Sequence, residues 1–118
     1  MHHDTEITPS PSGTYAVQAN PWEARASQWI YQPRVVECAF ARVIWSPLDR
    51  MWSLDSATWR SRSVVCLLLR KFPGGQSQGS IEVVIDCEQE TAWLNGAACA
   101  LRALETRLNA LISAQPKA

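Results

Sequence analysis

The stretch ETAWLNGAACALRALETRLNALIS, residues 90–113, decides how the chain is first read. Within it Leu94, Ala97, Leu101, Leu104, Leu108 and Leu111 recur at intervals of 3, 4, 3, 4 and 3. That spacing keeps the six side chains on one face of a helix in a/d heptad positions. It predicts one long C-terminal helix from about Glu90 to Ser113. Glu88 and Glu90 favour the N-terminal end of its dipole, Pro116 follows its end, and Gly96 sits inside at a cost of about 1 kcal/mol. Trp93, Ala98, Ala100 and Ile112 widen the stripe, which suits a helix lying on its own sheet. The same stripe also suits a two-fold dimer, with Leu94, Leu101, Leu104, Leu108 and Leu111 as the self-association candidates. Both readings remain open, because the two sides of one helix can divide the work.

Working outward, Ser63–Phe72 is a continuous apolar run of strand length and Ser80–Asp86 returns with Ile81, Val83 and Ile85 alternating. Between them, residues 72–79 (FPGGQSQG) are dense in turn residues, so the pair reads as an antiparallel hairpin with a long loop. This glycine-rich loop lacks the Gly-Lys-Ser/Thr ending of a phosphate cradle and precedes a strand, not a helix. Arg34–Trp45 (RVVECAFARVIW) is β-branched and alternating, and reads as one strand. Ser46-Pro47-Leu48-Asp49 opens either a helix through Trp59 or a tight turn and short strand, and the residues do not separate the two. Asn20-Pro21, with Glu23 in the first turn, predicts a helix to about Tyr31 that presents Trp22, Ala26, Trp29 and Ile30 on one face. Residues 1–20 show no period and read as an extended, partly disordered arm. The expected fold is therefore α+β. A single interaction domain over 21–118 would hold an N-terminal helix, an antiparallel sheet of three or four strands, and a long C-terminal helix packed on the sheet.

Length and composition bound the function. A chain of 118 residues supports one modest core. Eleven basic and eleven acidic residues give a formal net charge of zero. Phosphate binding usually draws on a basic excess, so neutrality argues against a nucleic-acid binder without excluding a local basic patch. The N-terminus lacks the charged-then-apolar pattern of a signal peptide, and no run approaches the roughly 18 apolar residues of a membrane span. A cytoplasmic location without membrane contact is expected.

No reaction is named by the residues. Cys38, Cys66, Cys87 and Cys99 form no Cys-x-x-Cys pair, and the histidines, His2 and His3, lie at the N-terminus. Buried structural thiols, no metal and no cofactor are expected. Asp86, Glu88 and Glu90 are the carboxylates closest in sequence to an acid–base pair, but no nucleophile or phosphate loop accompanies them. The chain is expected not to be an enzyme.

What the composition does favour is binding. Six of ten aromatic residues are Trp and nine of eleven basic residues are Arg, the two side-chain types that most often carry interface energy. A domain this small hides about three or four indoles in its core, so two or more should be partly exposed. Trp52 and Trp59, among Asp49, Arg50, Asp55, Arg60 and Arg62, are the favoured surface pair. Trp45, Trp52, Trp59, Arg50 and Arg60 together form the expected partner interface. Interleaved Arg and Trp also suit single-stranded bases, so a small nucleic-acid-binding module is the alternative, with an accessory subunit of a larger complex as a third reading.

The opening MHHDTEITPSPSGTY, the centre VIWSPLDRMWSLDSATWRSR and the tail WLNGAACALRALETRLNALISAQ together resemble the small quorum-sensing anti-activators of the QslA type. The resemblance spans the whole chain and contains no diagnostic motif. It implies a non-catalytic, cytoplasmic homodimer acting as a negative regulator. The implied partner is a LasR-like, LuxR-type transcription factor activated by an acyl-homoserine lactone, whose dimerisation and DNA binding it would block. No functional residue carries over position by position, so the residues named above stand on physical grounds alone.

Overall fold

Strand pairing, not helix, organises the chain over residues 4–25, 28–72 and 79–114, which the computed structural model describes. In chain order the elements are β1 (Glu6–Pro9), β2 (Tyr15–Arg25), β3 (Gln28–Glu37), a 3-10 turn (Cys38–Phe40), β4 (Arg42–Trp45), β5 (Trp52–Trp59), β6 (Val64–Lys71), β7 (Ile81–Asp86), β8 (Thr91–Leu94), β9 (Ala97–Ala100) and α1 (Leu101–Ala114). They form two antiparallel meanders, a four-stranded sheet β1-β2-β3-β4 and a five-stranded sheet β5-β6-β7-β8-β9. The expected α+β arrangement of an N-terminal helix and one sheet is thereby corrected to a mostly β fold with one helix at its end.

The C-terminal helix starts at Leu101, not near Glu90, for a local reason. Asn95 and Gly96 take φ of 53° and 80°. Two successive residues at positive φ make the type I′ turn whose twist matches a tight hairpin, and Asn-Gly is its preferred sequence. β8 and β9 therefore pair, with Leu94 opposite Ala97 and Trp93 opposite Ala98. Leu94 and Ala97, read as the first turns of a heptad stripe, lie on strands, and only Leu101 onward is helical.

The expected helix over 21–31 is strand at its described residues. Positions 21–25 continue β2 and 28–31 begin β3, with Trp22 opposite Ile30 and Pro21 opposite Tyr31. Ala26 of the expected helical face lies outside the described residues. Proline is tolerated there because β1 pairs with β2 only as far as Ala19, leaving Pro21 on a one-sided stretch. Cross-strand pairing from Tyr15 to Arg25 outweighs the local cap signal of Asn20. The residues read as an arm also carry β1 and the start of β2. The expected single strand 34–45 breaks at the 3-10 turn, where Ala41 has φ of 51°. Between Ser46 and Met51 the chain bends and β5 follows, which is the turn-and-strand reading of 46–60. The β6–β7 hairpin forms as expected, while positions 73–78 of its loop lie outside the described residues.

One hydrophobic core joins both sheets and the helix. On the inner face of the five-stranded sheet, register aligns Leu94, Val83, Leu67 and Ala57 in one row, and Cys99, Ala92, Ile85, Val65 and Trp59 in the next. Val17, Val35 and Trp45, opposite one another in the first sheet, join this core. Leu101, Leu104 and Leu108 of α1 join it as well. Polar ties hold the helix to the loop before β5. The Glu105 carboxylate accepts the N–H groups of Leu48 and Asp49 at 2.7 and 2.8 Å. Lys71 bridges Asp49 (3.0 Å) and Asn109 (2.9 Å).

Two substitutions test this account. Gly96→Ala meets open space but must hold φ of 80°, so it should cost about 1–2 kcal/mol. Leu104→Ala, at a fully buried position, should cost about 2–5 kcal/mol. Urea unfolding measures both, and a Gly96→Ala variant as stable as the parent would remove the type I′ turn.

Candidate protein-interaction surface

Alternation along the central strands sends every second side chain away from the core, and on the five-stranded sheet many of these are apolar. Register aligns Thr58, Cys66, Val84, Trp93 and Ala98 in one row across all five strands. Val64 and Leu68 lie beside Cys66 on the same face of β6. Val64, Cys66, Leu68, Val84 and Trp93 are half-buried, and Ala98 is exposed. Residues of α1 cover the opposite face, as the burial of Leu104 and Leu108 requires.

Trp93, Val84 and Val64 floor a shallow hollow of about 370 Å³. Its rim is the Asn95-Gly96 turn and an Arg60–Glu82 ion pair. That pair is 3.8 Å apart with both side chains more than half exposed, so it yields readily to a partner's groups. Burial, then the Glu82 charge, raises the Cys66 thiol above its ordinary range. It therefore stays neutral at physiological pH and adds to the apolar floor.

A second concavity, of about 500 Å³, lies where β3 passes β5, joined by a hydrogen bond from Tyr31 N–H to Ser53 Oγ (3.0 Å). Trp29, Tyr31, Leu54 and Phe72 line it together with Asp55 and Arg70. The Asp55 carboxylate there already holds Arg70 (3.1 Å) and accepts the Ser80 hydroxyl. Asp55 and Arg70 are thus engaged within the chain.

The expected interface residues do not come together on one surface. Trp52 is fully buried with the Lys71 ammonium 5.4 Å from its ring centroid, and Trp45 is buried in the same core. Trp59 stacks on Tyr15 and donates its indole N–H to the Thr8 carbonyl at 3.0 Å. Arg50 lies over Trp22, 4.3 Å from the ring centroid, while its carbonyl accepts the Trp22 N–H at 3.1 Å. Of the five, Arg60 alone borders the apolar hollow. Leu94, Leu101, Leu104 and Leu108 are buried in the chain's own core, with Leu111 packed at its margin. The indole that reaches the outer face is Trp93, which the helix reading had placed at the side of the stripe. The Asn-Gly dipeptide was the signal that could have placed it on a strand.

The acids of the β7–β8 turn have structural partners. Asp86 accepts the N–H groups of Glu88 and Gln89 (3.0 and 3.1 Å), and Glu90 pairs with Arg42 at 3.3 Å. Among the described residues no group of three His, Cys, Asp or Glu side chains could hold a metal ion. None of the helices described is long and apolar enough to cross a membrane. No family model, curated protein or solved structure matches the chain.

The thiols provide a check on these environments. Burial first, then the neighbouring Asp86 and Glu90 charges, pushes Cys87 from 9.0 up to about 12, whereas Cys38 is exposed. Iodoacetamide at pH 8 should label Cys38 first and spare Cys87 in the folded chain, as mass mapping will read. The folded state holds the Cys87 proton that the unfolded state releases above about pH 9. Its contribution to stability is complete below that value and is lost progressively toward pH 12. Early alkylation of Cys87 would overturn its placement.

Proposed function

We propose that this chain is a non-catalytic binding module that acts through protein–protein contact in the cytoplasm. Its proposed role is negative regulation of a LasR-like, LuxR-type transcription factor by blocking that factor's dimerisation and hence its DNA binding. The observation that supports the mode of action is the apolar row on the outer face of the five-stranded sheet, with Trp93 as its largest side chain. Trp is the side chain most enriched among energetic anchors, and this one lies between small and β-branched neighbours that leave its flanks accessible. The partner class rests on the resemblance of the opening, centre and tail segments to the QslA-type anti-activators. A blocking protein needs an apolar surface to replace the receptor's self-contact and needs no basic surface, in keeping with a net charge of zero. Once a receptor monomer is captured, half-site binding loses its partner's contribution to operator affinity.

The charges give the nucleic-acid alternative little support. Arg42, Arg60, Arg70 and Lys71 each lie against an acid, and Arg50 is stacked on Trp22.

Mixing the chain with the ligand-binding domain of a LasR-like receptor, on a sizing column with light scattering, tests the proposal. A complex containing one receptor copy is expected. Co-elution with an intact receptor dimer would retain the partner and remove the blocking mechanism, and no complex at all would remove this partner class. Trp93→Ser should weaken the complex at least about tenfold, or about 1.4 kcal/mol, with circular dichroism unchanged. Undiminished affinity would take the outer face out of the interface.

A further inference from the structure

The core-facing side of the first sheet carries aromatic residues beyond the point where the core ends. Register in β1, β2 and β3 places Glu6, Tyr31 and Trp29 on the same face as Val17 and Val35. Val17 and Val35 are buried in the core, whereas Tyr31 is half-buried and Trp29 keeps 36% of its surface in contact with solvent. These two residues wall the concavity of about 500 Å³ beside β5, and Phe72, just past the end of β6, adds a third ring. Its volume falls within the range of about 300–1,000 Å³ usual for small-molecule sites.

Charge in this concavity is unbalanced. Glu6, Asp55 and Arg70 line it, two carboxylates against one guanidinium. Asp55 is the extra residue of the β5 bulge, since Leu54 lies opposite Leu69 and Ser56 lies opposite Leu68. A bulge re-aims a side chain, and here it brings Asp55 within 3.1 Å of Arg70 and onto the Ser80 hydroxyl. Asp55 thereby neutralises Arg70. Glu6 is exposed and makes no ion pair among the described residues, so its negative charge stands uncompensated beside the rings.

We propose that this concavity binds a quaternary ammonium group of the kind choline carries. The face of an aromatic ring is electrostatically negative, and a cation within about 6 Å of its centroid is attracted to it, most strongly by Trp. A carboxylate at the rim adds attraction of the same sign. The type of cation follows from the acceptors that remain. A primary ammonium brings N–H groups that must find hydrogen-bond partners once they leave water. Asp55 Oδ2 is already shared by Arg70 and Ser80, and Ser53 Oγ already accepts the Tyr31 N–H. A trimethylammonium group carries no N–H at all, and its methyl groups pack on rings while its charge remains spread over them. An anion is disfavoured by the uncompensated Glu6, and a neutral apolar molecule gains nothing from it.

This site goes beyond the reading as a protein-binding module, because it shares no lining residue with the hollow around Trp93. One sheet face would serve a partner, and the junction of the two sheets would take a small cation.

The experiment uses the full chain alone, so its failure leaves the partner test untouched. Choline chloride is titrated into isotope-labelled chain at constant chloride and followed by NMR, with neohexyl alcohol as the same shape without the charge. Saturable shifts of the Trp29 indole N–H are expected, with a dissociation constant of about 1 mM and binding of the alcohol at least about tenfold weaker. Glu6→Gln, which breaks no ion pair, should weaken choline about threefold. Trp29→Leu should weaken it at least about tenfold, while Trp29→Phe, which keeps a ring, retains most of the affinity. Circular dichroism should be unchanged in all three variants. Phosphatidylcholine vesicles separate the two carriers of this group. Choline binding without co-sedimentation assigns the site to a free solute, and co-sedimentation that choline competes away assigns it to a lipid headgroup; either result upholds the quaternary ammonium site. Absence of a saturable shift at Trp29, equal affinity for the neutral alcohol, or undiminished choline binding by Trp29→Leu would overturn the proposal. Undiminished binding by Glu6→Gln would overturn the part given to the carboxylate.

Discussion

Burial of the inner face of the five-stranded sheet is the interaction on which the rest of the molecule depends. Val65, Leu67, Leu69, Val83, Ile85 and Ala92 are almost wholly removed from water, and no single element could cover them. The first sheet supplies Val17, Val35 and Trp45, and α1 supplies Leu101, Leu104 and Leu108. Each large aliphatic side chain so buried contributes about 1.5–3 kcal/mol. The two sheets and the helix are therefore coupled through one core, and the loop carrying Leu48 and Asp49 is fixed to the helix by Glu105.

The same alternation that fills this core produces the apolar outer face. Once Val83 and Ile85 point inward, Val84 must point out. Once Ala92 and Leu94 point inward, Trp93 must point out. A helix crossing the inner side covers β8 and β9 there and leaves their other face open. The outer face thus retains an apolar row because β6 and β7 are rich in aliphatic residues throughout, a composition usual for strands covered on both sides.

Electrostatics is arranged to hold loops and rims. The Met51 N–H first, and Lys71 after it, keep the Asp49 carboxyl below its ordinary range, where it joins the β5 entry to the helix side. Arg42 links Glu37 on β3 to Glu90 on the β7–β8 turn and so connects the two sheets. These pairs are partly solvated, so they set register and loop position more than they add stability. Among the described residues the tryptophans divide similarly. Trp45 and Trp52 fill the core, Trp22 and Trp59 hold loops and edges through their N–H groups, Trp93 faces outward from the five-stranded sheet, and the exposed Trp29 lines the concavity where β3 passes β5.

Some of this could be read from residue order alone. The β6–β7 hairpin was legible because an unbroken apolar run, a Gly/Pro-rich loop and an alternating return are all local signals. The helical period of Leu101, Leu104, Leu108 and Leu111 was equally local, as was the absence of a span long enough for a membrane helix. The start of that helix was hidden because Leu94 and Ala97 extend its period by coincidence, and only the Asn-Gly pair between them says otherwise. Pairing over 21–31 was hidden more deeply, since Asn20-Pro21 caps a helix as well as it fits a one-sided strand. Which of the two forms depends on β3, more distant in the chain. Tertiary structure alone decided which indoles are core and which face out, because exposure depends on which sheet face a neighbour covers, and that is a property of packing.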